Sequence, residues 1–275
     1  MMDILTLENI SYCYDDKRLA LDNVSASFRA GERIAILGNN GAGKSTFFQC
    51  CNGLLRPSSG KIFYKGALLG RSKRELLALR QGIGLVFQDP DSQIIAGSVE
   101  SEISFGPMNL RLPQADVAKR VDQALEQMHL DGYAERAPQY LSGGEKKRVT
   151  IADILAMQPE LIMLDEPTAS LDPENVAALE RTLAKLSNQG IAIVIATHDV
   201  DFAYKVAERA LVFAGGKIIA DDDICEIFAA ESILTAANLK PPLVYEAFKA
   251  LRSKFNLDLA MPRSIEELCA CIERI

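Results

Sequence analysis

Residues 34–45 read Ile34-Ala35-Ile36-Leu37-Gly38-Asn39-Asn40-Gly41-Ala42-Gly43-Lys44-Ser45. Four apolar residues bounded by glycine predict a short strand buried on both faces. The next eight fit G-x-x-x-x-G-K-[ST], and they stand between that strand and a helical stretch, the context in which this motif holds phosphate. Glycine lets the main chain of Gly38, Asn39, Asn40, Gly41, Ala42 and Gly43 curl with its N–H groups pointing inward. A helix starting near Gly43 adds the positive end of its dipole. Lys44 supplies a cation for the β- and γ-phosphates, the Ser45 hydroxyl is a ligand for Mg²⁺, and Thr46 continues the cofactor-binding set on the helix. The stretch points to a nucleoside triphosphate.

A second stretch complements it. Leu161-Ile162-Met163-Leu164 is another continuous apolar run, and it ends in Asp165-Glu166. A strand inside a parallel sheet presents such residues at the C-terminal edge, where open α/β sheets bind ligands. Asp165 there suits the Mg²⁺ shell, and Glu166 is placed to polarise a water as general base.

The remaining pattern is α/β, with a largely parallel sheet at its core. Strands are expected at Ile4–Ile10, Val24–Phe28, Ile83–Phe87 and Ile191–Ala196. Leu211-Val212-Phe213, Gly215-Gly216 and Ile218-Ile219 read as a closing hairpin. Between Gln88 and Leu141 the period changes: Val117, Val121, Leu125 and Met128 recur at helical spacing, so a helical insertion is expected. A third region begins near Pro241-Pro242. Val244, Phe248, Leu251 and Phe255 mark an amphipathic helix, and Ser264 with Glu267 offers a capping box for a last short one.

Composition narrows the function. The 275 residues carry a net charge of −7, against the basic surplus usual in chains that hold nucleic acid by its phosphates, so no nucleic-acid partner is expected. The longest apolar run, Ile191–Ala196, falls far short of the roughly 20 residues that cross a bilayer. Met1-Met2-Asp3-Ile4 shows no secretory signal. Cys13, Cys50, Cys51, Cys225, Cys269 and Cys271 match no zinc spacing and read as buried free thiols of a reducing compartment.

Leu141-Ser142-Gly143-Gly144-Glu145 resembles the signature of ABC-type ATPases, whose usual form ends in Gln. Further elements of that family stand in the family's order. Tyr14 precedes the phosphate loop where an aromatic stacks on adenine, with Tyr12 a rival. Gln88 follows a strand as in the Q-loop, Ser170-Leu171-Asp172 looks like the D-loop, and Thr197-His198-Asp199 looks like the switch histidine. The resemblance spans residues 3 to about 240. It implies an α/β P-loop NTPase (RecA-like) core with an antiparallel β subdomain, a helical signature subdomain and a C-terminal helical extension. The expected division is residues 1–240 as the ATPase domain, with the helical subdomain at about 89–157, and 241–275 as the extension. It also implies that two chains sandwich two ATP molecules. Ser142, Gly143 and Gly144 would then bind the γ-phosphate held by the other chain, Gln88 would ligate Mg²⁺, and His198 would contact the γ-phosphate and help hold the attacking water.

Phe87-Gln88-Asp89-Pro90-Asp91-Ser92-Gln93, Phe105-Gly106-Pro107 and Lys146-Lys147-Arg148-Val149 are similar to the energy-coupling factor ATPases. Arg71-Ser72-Lys73 before Leu76-Leu77 looks most like the cobalt-import members. The resemblance implies ATP and Mg²⁺ as cofactors and a dimer with a second copy or a paralogue. It also implies a separate transmembrane coupling subunit, a substrate-binding membrane protein, and a position on the cytoplasmic face of the cell membrane. A vitamin-importing member and a non-transport ABC ATPase are the alternatives. With only two histidines, His129 and His198, the chain itself offers no imidazole cluster for cobalt.

Overall fold

The computed structural model describes residues 3–15, 18–169, 171–255 and 259–273. In chain order the elements are β1 (Leu5–Cys13), β2 (Leu19–Phe28), β3 (Arg33–Leu37), α1 (Lys44–Cys51), β4 (Ser59–Tyr64), β5 (Ala67–Leu68), α2 (Lys73–Gly82) and β6 (Ile83–Val86). Then come α3 (Val99–Asn109), α4 (Gln114–Gln127), α5 (Gly143–Ala156), β7 (Leu161–Asp165), α6 (Pro173–Asn188), β8 (Ala192–Ala196), α7 (Val200–Val206), β9 (Arg209–Ala214) and β10 (Lys217–Asp223). The chain continues through α8 (Ile224–Ala229), α9 (Glu231–Ala237), α10 (Leu243–Phe255) and α11 (Ile265–Ile272).

Two sheets organise these elements. One has the order β10-β9-β3-β8-β7-β6, parallel from β9 to β6, with β10 closing it as the antiparallel half of a hairpin. The other is antiparallel, in the order β2-β1-β4-β5. The continuous apolar runs explain the first sheet: every residue of β6, β7 and β8 is buried, because helices cover both faces. Because β3, β8, β7 and β6 run in the same direction, their C-terminal ends share one edge. Their ends and the loops after them carry, in order, the phosphate loop, Thr197-His198, Asp165-Glu166 and Phe87-Gln88. Topology alone therefore gathers segments that lie far apart in sequence.

Aromatic packing fixes α1 between the sheets. The Phe47 ring lies 6.2 Å from that of Phe28 on β2 and 5.2 Å from that of Phe213 on β9, and all three are fully buried. On the other face of the core sheet, α3, α4 and α5 pack on one another, with Val117, Val121 and Leu125 of α4 turned inward as their spacing predicts. The C-terminal helices dock on α7. Leu243 N–H donates to Asp201 Oδ1 at 2.7 Å in the first turn of α7. At its other end Arg263 donates from Nε to the Tyr204 carbonyl at 2.7 Å and from Nη2 to that of Ala207. The Arg263 guanidinium also lies 4.8 Å from the centre of the Tyr204 ring.

Several expectations need correction. The strand expected at Val24–Phe28 begins at Leu19, and the one expected to reach Phe87 stops at Val86, where parallel pairing with β7 ends. β4 and β5 had no clear signal, since β4 opens with Ser59-Gly60-Lys61 and only Ile62 is buried. The capping box at Ser264 forms by half. The hydroxyl accepts from Glu267 N–H at 3.2 Å, but the Glu267 carboxylate takes the N–H of Arg263, 2.7 Å away. Of the six thiols only Cys50 and Cys51 are buried; Cys13, the last residue of β1, and Cys269 on α11 are exposed. Ser170 lies outside the described residues.

Candidate active site

The C-terminal edge of the parallel sheet opens into a cleft of about 160 Å³. Asn39, Asn40, Gly41, Gly43, Lys44, Ser45 and Thr46 form its floor, with Gln88, Asp165 and Glu166 on one side and Arg18, Leu19 and Ala20 on the other. Gly38 and Ala42 shape the loop from behind. Gly38 has φ 144°, and a Cβ there would collide with the Phe213 carbonyl. Gly43, the N-cap of α1, has φ 108°, and a Cβ would meet the Ala20 carbonyl at 2.6 Å. Both positions combine a left-handed backbone with close approach, so glycine is required at both.

Lys44 is almost wholly buried, and its ammonium donates to the carbonyls of Gly38 (2.6 Å) and Asn39 (3.2 Å). Burial lowers its pKa below the ordinary lysine value, while Glu166 and Asp165 oppose that shift. Asp165 shows the opposite effect. Burial raises its pKa and Glu166 adds to this, while a hydrogen bond from Ser45 and the charges of Lys44 and Lys147 hold it down. Ser45 and Asp165 are thus already paired across the cleft floor. A hydroxyl, a carboxylate and the Gln88 amide beside them form a set of hard oxygen donors, which fits Mg²⁺.

Glu166 follows β7 with φ 44°, a left-handed conformation unusual for a non-glycine residue. Its N–H remains bonded to the Ala196 carbonyl at 2.8 Å, so the sheet holds the backbone while the turn re-aims the carboxylate. That carboxylate is 8% exposed, against 69% for its partner His198, whose Nδ1 lies 2.9 Å from Oε1. Oε2 accepts from the Thr197 hydroxyl at 3.0 Å. Thr197, fully buried, was missed as a site residue although it adjoins His198 in sequence.

Tyr14 does not line the cleft but touches a residue that does. Its hydroxyl pairs with that of Thr46 at 3.0 Å, and Arg18 lies 5.5 Å from its ring centre. Tyr12, the rival, meets Tyr14 edge-on at 5.0 Å between ring centres. Ser142, Gly143 and Gly144 do not line the cleft. They open α5, with Ser142 as its N-cap in a complete capping box: Glu145 N–H donates to the Ser142 hydroxyl and Ser142 N–H to the Glu145 carboxylate at 2.7 Å. Tyr133 donates to the same carboxylate at 2.8 Å. These bonds hold Glu145 below the usual carboxylate range and give its acid a structural place where glutamine is usual.

Lys147 was the least foreseeable residue here. It is 2% exposed and donates to the carbonyls of both Phe87 and Gln88 at 2.9 Å. In the run Lys146-Lys147-Arg148 nothing in the sequence marks which cation turns inward.

A glycine-rich phosphate loop, a carboxylate pair at the next-but-one strand and a capped Ser-Gly-Gly helix start define a P-loop ATPase of the ABC class. A sequence model described as ABC transporter matches residues 21–169, more than half of the chain. The chain is 43% identical over 265 residues to the energy-coupling factor transporter ATP-binding protein EcfA of Methanothermobacter thermautotrophicus, covering 96% of this chain and 85% of that one. To EcfA of Methanococcus maripaludis it is 42% identical over 266 residues, covering 97% and 96%. Among solved structures, cbiO1 of Clostridium perfringens, part of the ABC transporter complex cbiONQ, superposes with a TM-score of 0.78. Its identity is 38%, covering 92% of this chain and all of that one. The ATP-binding cassette MJ0796, a dimer bound to ADP and Pi after hydrolysis, superposes at 0.73 with 27% identity over 80% of this chain and 98% of its own. The protein belongs to the ABC transporter ATP-binding family, in its energy-coupling factor branch, and is an ATPase.

Proposed function

We propose that the chain is the ATP-hydrolysing subunit of a cobalt importer, working as a dimer beneath a separate transmembrane subunit on the cytoplasmic face of the membrane. One observation carries the catalytic part: Lys44, Ser45, Gln88, Asp165 and Glu166 line a single cleft, with His198 fastened to Glu166. Lys44 would leave its loop carbonyls for the β- and γ-phosphates, and the loop N–H groups would hold the rest of the triphosphate. Ser45, Asp165 and Gln88 would hold Mg²⁺, which when bound neutralises phosphate charge. Glu166 would accept the proton of the attacking water while His198 orients that water. Tyr14 would stack on adenine.

Residues 1–240 make the ATPase unit in this reading, with 89–157 as the helical subdomain and 241–275 as an extension. Ser142, Gly143 and Gly144 stand away from the chain's own cleft, which suits a role at the γ-phosphate of a partner, a second copy or a paralogue. Cobalt rests on the resemblance at Arg71-Ser72-Lys73 and around Gln88, and on the likeness to cbiO1. A distinct membrane protein would recognise the ion.

The test has two arms. Glu166→Gln should bind ATP, stop turning it over and accumulate as a dimer; hydrolysis at the wild-type rate removes Glu166 as base. Cells carrying the gene should take up labelled cobalt faster than cells lacking it. Uptake of a vitamin with no change in cobalt overturns the cargo assignment and leaves the ATPase reading intact.

A further inference from the structure

The first two turns of α5 hold two neighbouring cations that both reach the loop after β6. Lys146 Nζ lies 2.6 Å from Asp91 Oδ1, and Lys147 Nζ donates at 2.9 Å to each of the carbonyls of Phe87 and Gln88. The contacts of the two lysines differ in kind. The Lys146 pair is a side-chain contact to an exposed carboxylate, worth little for position. The Lys147 bonds are charge-assisted, fixed on main chain, and made by an ammonium almost wholly out of water.

A lysine is rarely buried without a purpose, because its charged form loses hydration. Here burial pushes the ammonium down to about 8, with Asp165 and Asp89 the charges that face it and favour the cation. The group it grips is the peptide of the residue whose side chain lines the ATP cleft. Gln88 is exposed and has no regular element beneath it, since β6 ends at Val86. The Phe87 N–H is held by Gln93 Oε1 at 3.1 Å, leaving the carbonyls of Phe87 and Gln88 to Lys147.

We infer that Lys147 is a positioning residue for Gln88: from the helix that begins with the signature turn, it fixes the backbone from which the Gln88 amide reaches Mg²⁺ bound with ATP. The inference rests on the ATP-site reading above and adds a residue that touches neither nucleotide nor metal. Its loss should weaken the response to Mg²⁺ and leave the phosphate loop's hold on the nucleotide intact.

The experiment uses the full chain and a fluorescent ATP analogue, first in the presence of a chelator and then titrated with Mg²⁺. Lys147→Met keeps the length of the stem and removes the donors. Its affinity for the analogue without Mg²⁺ should stay within about twofold of wild type, while the Mg²⁺ concentration for half-saturation rises about tenfold, as for other residues that orient metal ligands. Lys147→Arg, which restores donors, should return most of the Mg²⁺ response. If Lys147→Met does not fold, Lys147→Gln, with one amide donor, is read the same way. A half-saturation unchanged from wild type overturns the inference, and so does an equal loss of Mg²⁺-free binding, which would make Lys147 a prop for the whole cleft. A wild-type chain that binds no analogue would instead sink the ATP-site reading.

Discussion

Glu166 and His198 are joined side chain to side chain, Nδ1 to Oε1 at 2.9 Å, across the ends of two adjacent parallel strands. The Glu166 carboxylate is buried and the His198 ring is largely in solvent. The pair therefore joins one buried member to one exposed member. Glu166 is held further by the Thr197 hydroxyl at 3.0 Å and, weakly, by the His198 N–H at 3.4 Å. A carboxylate with that many partners keeps its direction before substrate arrives, which is the kind of preorganisation a water-activating base needs.

His198→Ala should therefore damage turnover more than binding. Steady-state ATPase assays are expected to show kcat down by about 100-fold, the scale of mispositioning one reactant, with KM for ATP nearly unchanged. A variant whose KM rises while kcat holds would place His198 in nucleotide binding instead.

Lys44→Ala should lose nucleotide. Among the described residues the ammonium is the one buried cation in the floor of the cleft, and the loop N–H groups alone offer only neutral donors. Titration calorimetry is expected to show ATP affinity down by at least about 100-fold, in line with losing charge-assisted bonds to phosphate. Wild-type affinity in this variant would remove Lys44 from the site.

Phe47→Ala tests the packing that sets the phosphate loop. Phe47 is wedged between Phe28 of the antiparallel sheet and Phe213 of the parallel one, and it lies on the helix that starts at Lys44. Truncation of a buried phenylalanine should cost about 3–5 kcal/mol in urea denaturation. A loss below about 1 kcal/mol would mean that the two sheets do not depend on this wedge.

Asp153 gives the stability a pH dependence. It lies on α5, where burial, with Glu102 adding to it, pushes its carboxyl up to about 7 while Gln93 partly stabilises the anion. The folded state thus prefers the neutral acid, so its contribution is complete below the unfolded value of 3.8 and is lost as pH rises through about 7. Asp153→Asn keeps a neutral partner at every pH. Thermal melts should show the variant gaining on wild type by roughly 5 °C at pH 8, with the gap closing toward pH 4. Parallel melting curves across that range would refute the assignment.

Much of this was legible in the sequence because the responsible signals are local. The run Ile34–Leu37, the glycines after it and Lys44-Ser45 lie within twelve consecutive residues, and the same holds for Leu161–Glu166. What escaped reading had no local pattern. β4 carries one buried apolar residue and is a strand because β1 pairs with it. Thr197 and Lys147 lie inside recognised motifs, but nothing local shows that their side chains turn inward until their neighbours from other elements are known.

The sequence by itself determined which chemical groups exist and which runs become parallel strands, because continuous apolar runs and glycine-bounded turns encode backbone state within a few residues. It thereby marked the phosphate loop, Asp165 at the end of β7 with Glu166 after it, and the histidine after β8. Only the tertiary structure decided how they meet. Strand order places β8 between β3 and β7, so His198 falls beside Glu166, and the packing of α5 on β6 turns Lys147, rather than Lys146 or Arg148, onto the backbone of Gln88. The physical reason is that a buried ion needs several partners at once, and those partners come from chain segments that only folding brings within hydrogen-bond distance.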